Sequence, residues 1–272
     1  MSHAGEIEIR SLYSIEDLEQ VRKLESNIWG PEDSVPTHQT ITAVKNGGLV
    51  LGAFLGDKLV GFQYSFPGFN GKEAYLCSHI LATDQQFRNR KIGEKLKIAQ
   101  REEALKLGYS LITWTYDPLE SINGYLNISK LGAVCSVYIE NCYGEMEDLL
   151  NEGLASDRFQ VEWYINEQKK NTQEPSHTAA IENSLIQWEM DDAGLPYPAG
   201  LLPLTDDGEE VYVAIPKDFR GIRETDMELA SKWRMASREI FTALFEQGWQ
   251  VTGFLKNALP DIPVQFYVLS KK

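Results

Sequence analysis

Isoleucines alternate with charged residues along Glu6-Ile7-Glu8-Ile9-Arg10, the two-residue period of a short strand. Ser14 then stands as an N-cap with Asp17 three residues on, and Leu18, Val21, Leu24 and Ile28 recur at helical spacing. The spacing predicts a first helix, ended by Trp29-Gly30-Pro31, and a second over 37–46, closed by Gly47 and Gly48. Apolar runs at 49–55 and 58–66 flank Gly56-Asp57, a strong hairpin signal. Pro67, Gly68, Asn70 and Gly71 predict a further turn before a strand at 73–82, so these three strands form an antiparallel meander.

The pattern changes at Asp84. A polar turn leads into Arg88-Asn89-Arg90-Lys91-Ile92-Gly93, and Ile92, Leu96, Ala99 and Ala104 then mark one face of a helix that Gly108 stops. A second apolar run, 109–116, follows, and because a helix connects it to the strand at 73–82 the two are expected to run parallel. Asp117-Pro118 breaks that strand; 121–131 reads as a short helix stopped by Gly132, and 133–139 and 158–165 read as strands. Between those strands, 140–156 has no period and reads as a long loop or lid.

A stretch almost without apolar residues, 167–176, is the best linker in the chain. It divides the sequence into expected domains at 1–166 and 177–272. In the second, 178–190 fits helix or strand, 193–208 reads as a Gly/Pro-rich loop, and 210–215 as a strand. Residues 226–247 carry Leu229, Trp233, Ala236, Ile240 and Leu244 on one helical face with Gly248 as the stop. Two strands, at 250–255 and near Phe266–Leu269, close the chain, and this order is a partial echo of the first domain. The fold class expected is α/β, with a mixed sheet and a second, smaller α/β domain.

Charge narrows the partners. The 272-residue chain has a formal net charge of -14, which argues against general binding of nucleic acid or an anionic membrane, since both need an extended basic surface. Against that background Arg88, Arg90 and Lys91 form a basic island at a helix start, where unpaired amides and the helix dipole already favour an anion. The competing reading is a solvated helix start. No apolar run reaches the length of a membrane span and the first residues lack a leader pattern, so a cytoplasmic location is expected. The 3 cysteines, Cys77, Cys135 and Cys142, suit buried reduced thiols better than disulfides or zinc, and no metal is expected.

Arg88 to Gly93, preceded by a strand ending Leu81-Ala82-Thr83-Asp84, resembles the acetyl-CoA-binding motif of the GNAT family of N-acetyltransferases, Gln/Arg-x-x-Gly-x-Gly/Ala. Arg88 occupies its first position, Gly93 its last, and Lys91 stands where a glycine is usual. Residues 121–133, Ser-Ile-Asn-Gly-Tyr-Leu-Asn-Ile-Ser-Lys-Leu-Gly-Ala, resemble the family's later helix, and the resemblance extends over 6–165. It implies a GNAT-like fold in which the strands at 73–82 and 109–116 splay apart and hold the pantetheine arm of acetyl-CoA. Backbone groups of Ile80, Leu81 and Ala82 would align that arm, Arg88, Asn89, Arg90, Lys91, Ile92 and Gly93 would hold the diphosphate, and Asn123 and Asn127 would bond the pantetheine amides. The region between the first two helices, with Trp29, Glu32 and Asp33, would shape the acceptor side.

Transfer of an acyl group from a thioester to an amine needs a neutral amine, a stabilised oxyanion and a proton for the departing sulfur. His79 and Glu73 are the candidate bases, His79 because imidazole titrates nearest neutral pH. A lone histidine on a mostly apolar face also fits a hydrogen-bonded core residue. The family's general acid, a tyrosine four residues before the glycine that ends the later helix, is here Ile128; Tyr125, Tyr138 and Tyr143 are the nearby phenols, or the thiolate leaves unaided. The expected activity is thus an acyltransferase moving acetyl from acetyl-CoA to the amine of a small molecule, with a homodimer left open. The alternatives are a non-catalytic acyl-CoA-binding protein and an interaction module with a degenerate site. Signatures of serine hydrolases, P-loop proteins and dinucleotide-binding folds are absent from the sequence.

Overall fold

The computed structural model describes residues 5–144, 153–167, 177–204, 209–256 and 262–271. The chain divides into two compact units, one of residues 1–114 with 164–168 and one of 115–163 with 169–272. That division falls inside a strand and differs from the partition at the polar stretch after residue 166; residues 168–176 of that stretch lie outside the described part.

In the first unit the elements follow in the order β1 (Ile7–Ser11), α1 (Ile15–Trp29), α2 (Thr37–Lys45), β2 (Leu49–Leu55), β3 (Lys58–Phe69), β4 (Ala74–Thr83), α3 (Ile92–Lys106) and β5 (Leu111–Tyr116), the last belonging to this unit as far as Trp114. The strands stand side by side in sequence order, β1 to β4 antiparallel and β4 to β5 parallel, a mixed sheet. Ser14 caps α1 by accepting from the Asp17 amide at 3.1 Å, and Gly56 turns the β2–β3 hairpin at φ 58°. Strand β3 runs three residues further than the run at 58–66 suggested. Pro67 is accommodated because β2 pairs no further than Ser65, which leaves that edge of Pro67 without a ladder hydrogen bond to donate. The turn comes later, where Asn70 Oδ1 accepts from the amides of Lys72 and Glu73.

One face of this sheet presents Val50, Phe54, Phe62, Tyr64 and Ala82 to Leu18, Val21 and Leu24 of α1 in a closed apolar core. Each fully buried Leu, Val or Phe there contributes about 1.5–3 kcal/mol relative to exposure. The opposite face carries α3, and its buried side is partly polar: Lys97 and Gln100 lie inward beside Ile92, Leu96 and Ala104. Gln100 Nε2 donates to Ser65 Oγ at 2.7 Å, and Gln63 Nε2 donates to the same oxygen.

The second unit contains α4 (Ser121–Gly124), a π-helical turn (Tyr125–Lys130), β6 (Val134–Ile139), β7 (Arg158–Tyr164), α5 (His177–Glu182), β8 (Ile186–Met190), β9 (Pro196–Leu201), β10 (Glu210–Pro216), α6 (Phe219–Thr225), α7 (Met227–Glu246), β11 (Trp249–Leu255) and β12 (Val264–Lys271). Its main strands are ordered β7-β6-β11-β12-β10, all antiparallel, and β8 and β9 form a separate hairpin. Residues 178–190 therefore hold a helix and then a strand. The expected loop at 193–208 contains β9, whose Pro196 and Pro198 are tolerated because its hairpin has only two strands and hence a free edge. Helix α7 is capped by Asp226, which accepts from the Leu229 amide at 2.9 Å, and it seats Phe241 edge-on against Phe159 and Tyr267, at 4.7 and 5.5 Å between ring centroids.

Ion pairs anchor α7. Arg234 holds Asp117 in a bidentate grip, and Arg238 Nη2 reaches Asp157 Oδ1 at 2.8 Å. Residues 145–152 of the expected lid lie outside the described part; flanking them, the Cys142 amide donates to Ser156 O at 3.0 Å. Among the described residues no helix is long and apolar enough to cross a membrane. The three cysteines are unbridged; Cys135 is buried, and Cys77 and Cys142 are half-buried.

Candidate functional site

The site is built where β4 parts from β5. Their parallel pairing is confined to Leu76 with Ile112 and Cys77 with Thr113. Beyond Cys77 the edge of β4 that faces β5 is open, and Ile80, Leu81 and Ala82 keep partners on the other side only, in Tyr64, Gln63 and Phe62 of β3. Alternate backbone amides of this stretch thus point into the fork.

A bulge lies at the same place. Tyr64 of β3 pairs with Ile80 while its neighbour Ser65 pairs with Ser78, leaving His79 as the extra residue. The two-residue alternation of an unbroken strand, which would put Tyr75, Cys77, His79 and Leu81 on one face, is interrupted here. After the bulge Ile80 and Ala82 join the core under α1, and Leu81 turns to α3, where a Cβ on Gly93 would meet it at 3.3 Å. A bulge re-aims a side chain, and His79 is consequently exposed instead of packed in the core. The rings of Tyr64 and Phe66 stand edge-on around it, with centroids at 6.0 and 5.4 Å. This partial desolvation lowers the imidazole pKa below its ordinary value, so His79 is neutral at pH 7 and able to accept a proton.

Strand β4 runs into a shaped loop. Asp84 Oδ1 accepts from the Gln86 amide at 3.0 Å and its Oδ2 meets Lys58 Nζ at 3.2 Å; these two contacts, the amide first, hold its carboxyl below the usual range. Arg88, Asn89, Arg90 and Lys91 are exposed, and Arg88, Arg90 and Lys91 enter no ion pair among the described residues. Arg90 rests 5.2 Å from the Phe87 ring centroid. Asn89 and Lys91 both have positive φ, 65° and 58°, and Lys91 is the N-cap of α3 with no side-chain hydrogen bond to the helix. The first-turn amides of α3 therefore face outward past three cations.

Lys91 stands where the motif this loop resembles has glycine, and its backbone is left-handed, a conformation that favours glycine. A side chain pays about 1–2 kcal/mol to adopt it, whereas glycine loses about 0.5–1 kcal/mol through its freer unfolded state. Lys91→Gly is accordingly expected to stay within about 1 kcal/mol of the parent stability in urea denaturation, and β-branched Lys91→Val to lose about 1–2 kcal/mol relative to it. Equal stabilities for the two variants would contradict this account.

The other expected residues are distributed as follows. Glu73 lies in the turn before β4, accepts from Ser110 Oγ at 3.3 Å, and at about 3.3 Å per residue stands on the order of 20 Å from His79, so the two are not brought together. Trp29, Glu32 and Asp33 are exposed at the end of α1 and in the segment after it. Tyr125, Asn123 and Asn127 belong to the second unit: Tyr125 is half-buried with Lys256 and Lys130 at 4.9 and 5.7 Å from its ring centroid, Asn123 is half-buried, and Asn127 is buried. Ile128 is buried as well. Tyr138 donates its hydroxyl to Asp157 at 2.7 Å, and Tyr143 shares a hydrogen bond with Thr115 at 2.7 Å.

Two groups in the first unit were not singled out by sequence. Glu25 is 2% exposed; its Oε2 accepts from the Val35 amide at 3.1 Å and holds the segment between α1 and α2, while Oε1 has no partner among the described residues. Burial raises its pKa against the pull of that amide and of Arg22. Lys97, inside α3, is the other. A signal for it existed: at about 100° per residue Gln100 falls between Leu96 and Ala104, and Lys97 borders the same arc.

No family model matches the chain, and no curated protein matches it. Solved structures do resemble it. An acetyltransferase of the GNAT family from Streptococcus pneumoniae is 14% identical over 58% of this chain and 98% of its own, with a TM-score of 0.47. The ribosomal-protein-S18-alanine N-acetyltransferase from Escherichia coli is 14% identical over 62% of this chain and 100% of its own, with a TM-score of 0.48. The IAA acetyltransferase from Bacillus cereus is 18% identical over 58% of this chain and 98% of its own, with a TM-score of 0.45.

Proposed function

We propose that this protein is an acyl-CoA-dependent N-acyltransferase that moves an acetyl group from acetyl-CoA to the amine of a small molecule by direct attack. The observation that carries the reading is the fork of β4 and β5, bulged at His79 and running into a helix start that is uncapped and rimmed by unpaired cations. The residues present suit the coenzyme. Arg88, Arg90 and Lys91, with the amides of Ile92 and Gly93, would hold its diphosphate, and the open edge at Ile80 to Ala82 would align the pantetheine. When bound, the coenzyme supplies the activated thioester. His79, neutral and reached by solvent, would accept the proton that the attacking amine loses. The acidic balance of the chain, -14 formally, favours a cationic acceptor arriving from solution.

Acetyl-CoA at about 100 times its Kd is expected to stabilise the protein by about 2.7 kcal/mol, seen as a rise in Tm of about 5 °C or more. The Arg88→Ala/Arg90→Ala variant should lose most of that rise. No shift for the parent at saturating coenzyme would remove the proposed donor. A shift without thiol release across an amine panel would favour the second reading, a non-catalytic acyl-CoA-binding protein, which Ile128 at the place of the family's tyrosine recommends.

A further inference from the structure

The reading above leaves the departing sulfur without a proton donor in the first unit's machinery, and the structure holds an unexplained buried amine at the point where β4 and β5 part. Lys97 is 3% exposed. Its Nζ donates to Ser78 Oγ at 2.8 Å and lies 3.6 Å from the centroid of the Trp114 ring. Among the described residues no carboxylate pairs with it. The register gives the position its meaning. Cys77 and Thr113 are the last residues paired across β4 and β5, so Ser78 and Trp114 are the first residue of each prong, and Lys97 touches both.

We propose that Lys97 is the general acid of the transfer, its ammonium at the floor of the fork giving a proton to the sulfur that leaves there. This rests on the acyl-CoA reading of the fork. The amine lone pair forms the new C–N bond, and the C–S bond breaks with its electron pair on sulfur. Sulfur takes a proton from Lys97 Nζ, and His79 takes the proton lost by the amine. His79 then releases its proton to solvent and Lys97 regains one, so the net change is one proton moved from amine to thiol.

The surroundings suit that role. The Trp114 face and the Ser78 hydroxyl support the ammonium, while desolvation pulls its pKa well below the ordinary lysine value and makes the proton easier to give up. The titratable group facing it is Cys77: burial raises that thiol, and the charge of Lys97 opposes the rise, so the field of the amine already reaches a sulfur at the fork. A coenzyme thiol there would feel the same field.

The test is the titration of coenzyme A bound to the full chain, followed by ultraviolet thiolate absorbance, in the parent and in Lys97→Met. The bound thiol is expected to ionise at a pH about one to three lower in the parent, and Lys97→Met is expected to lower kcat about 100-fold or more with KM for acetyl-CoA unchanged. The variant should fold, because a buried amine without a carboxylate is replaced by an apolar side chain of similar length; Lys97→Gln, read the same way, guards against a packing artefact. Identical thiol titrations in parent and both variants, with coenzyme bound to all three, would overturn the role of Lys97 and leave the site reading standing. Failure of the parent itself to bind coenzyme A would overturn both.

Discussion

His79→Gln is expected to lower kcat about 100- to 10,000-fold while leaving the fold and the acetyl-CoA-induced rise in Tm in place. The side chain sits on a bulge, exposed, with edge contacts to Tyr64 and Phe66, so an amide of similar size keeps the backbone geometry while removing the base. The pH profile supplies the sharper criterion. His79 accepts a proton only when neutral, and partial desolvation lowers its pKa below 6.5. The acid limb of kcat/KM should therefore fall below pH 6.5 and vanish in the variant. Linkage has the same sign: a histidine whose folded pKa is depressed favours the folded state fully above the unfolded value of about 6.5 and progressively less as pH drops toward the folded value. Stability of the parent should consequently decline over that window more steeply than that of His79→Gln. A variant with parental kcat and an unchanged acid limb would strip His79 of the base role.

The contrast between what sequence conveyed and what it hid follows the range of the interactions involved. Ser14 and Asp226 announce their helices because an N-cap is settled within three residues, and Gly56 and Gly108 mark stops because a positive φ is a property of one residue. The bulge at His79 depends on which residues of β3 lie opposite, a pairing across the sheet that alternation along β4 alone cannot reveal. Lys97 and Gln100 are not among the apolar positions Ile92, Leu96, Ala99 and Ala104 that mark the helix in sequence, and lysine and glutamine are usually outside. They are inside because Ser65 and Ser78, on neighbouring strands, answer them with hydroxyls. Strand β9 was hidden by its prolines, which mark a loop unless a free edge is at hand. The basic run before α3 was legible because its residues are contiguous; the parting of β4 and β5 was legible only through resemblance.

In the second unit Asp117→Ala is expected to cost about 3–5 kcal/mol, the largest loss of stability from any single truncation proposed for the chain. Asp117 follows β5 at the Asp-Pro break, and its Oδ1 accepts both from the Leu119 amide and from Arg234 Nη1 at 2.9 Å. Arg234 is 2% exposed, lies 5.5 Å from the Phe219 ring centroid, and its Nε has no partner among the described residues. Burial alone would lower the guanidinium pKa, and Asp117 more than offsets it, so Arg234 stays charged. Removing the carboxylate strands that charge inside the unit, with the carboxylate of Asp157 engaged by Arg238 and Tyr138. Arg234→Met should cost less, because Asp117 retains Arg158 at 4.0 Å. The double variant Asp117→Leu/Arg234→Met removes both charges and should recover most of the loss, since a buried pair and an apolar replacement of similar volume are nearly equivalent in free energy. Urea denaturation of the three variants gives the ordering directly. A double variant as unstable as Asp117→Ala would show that the carboxylate matters through the turn it caps and not through the arginine it neutralises.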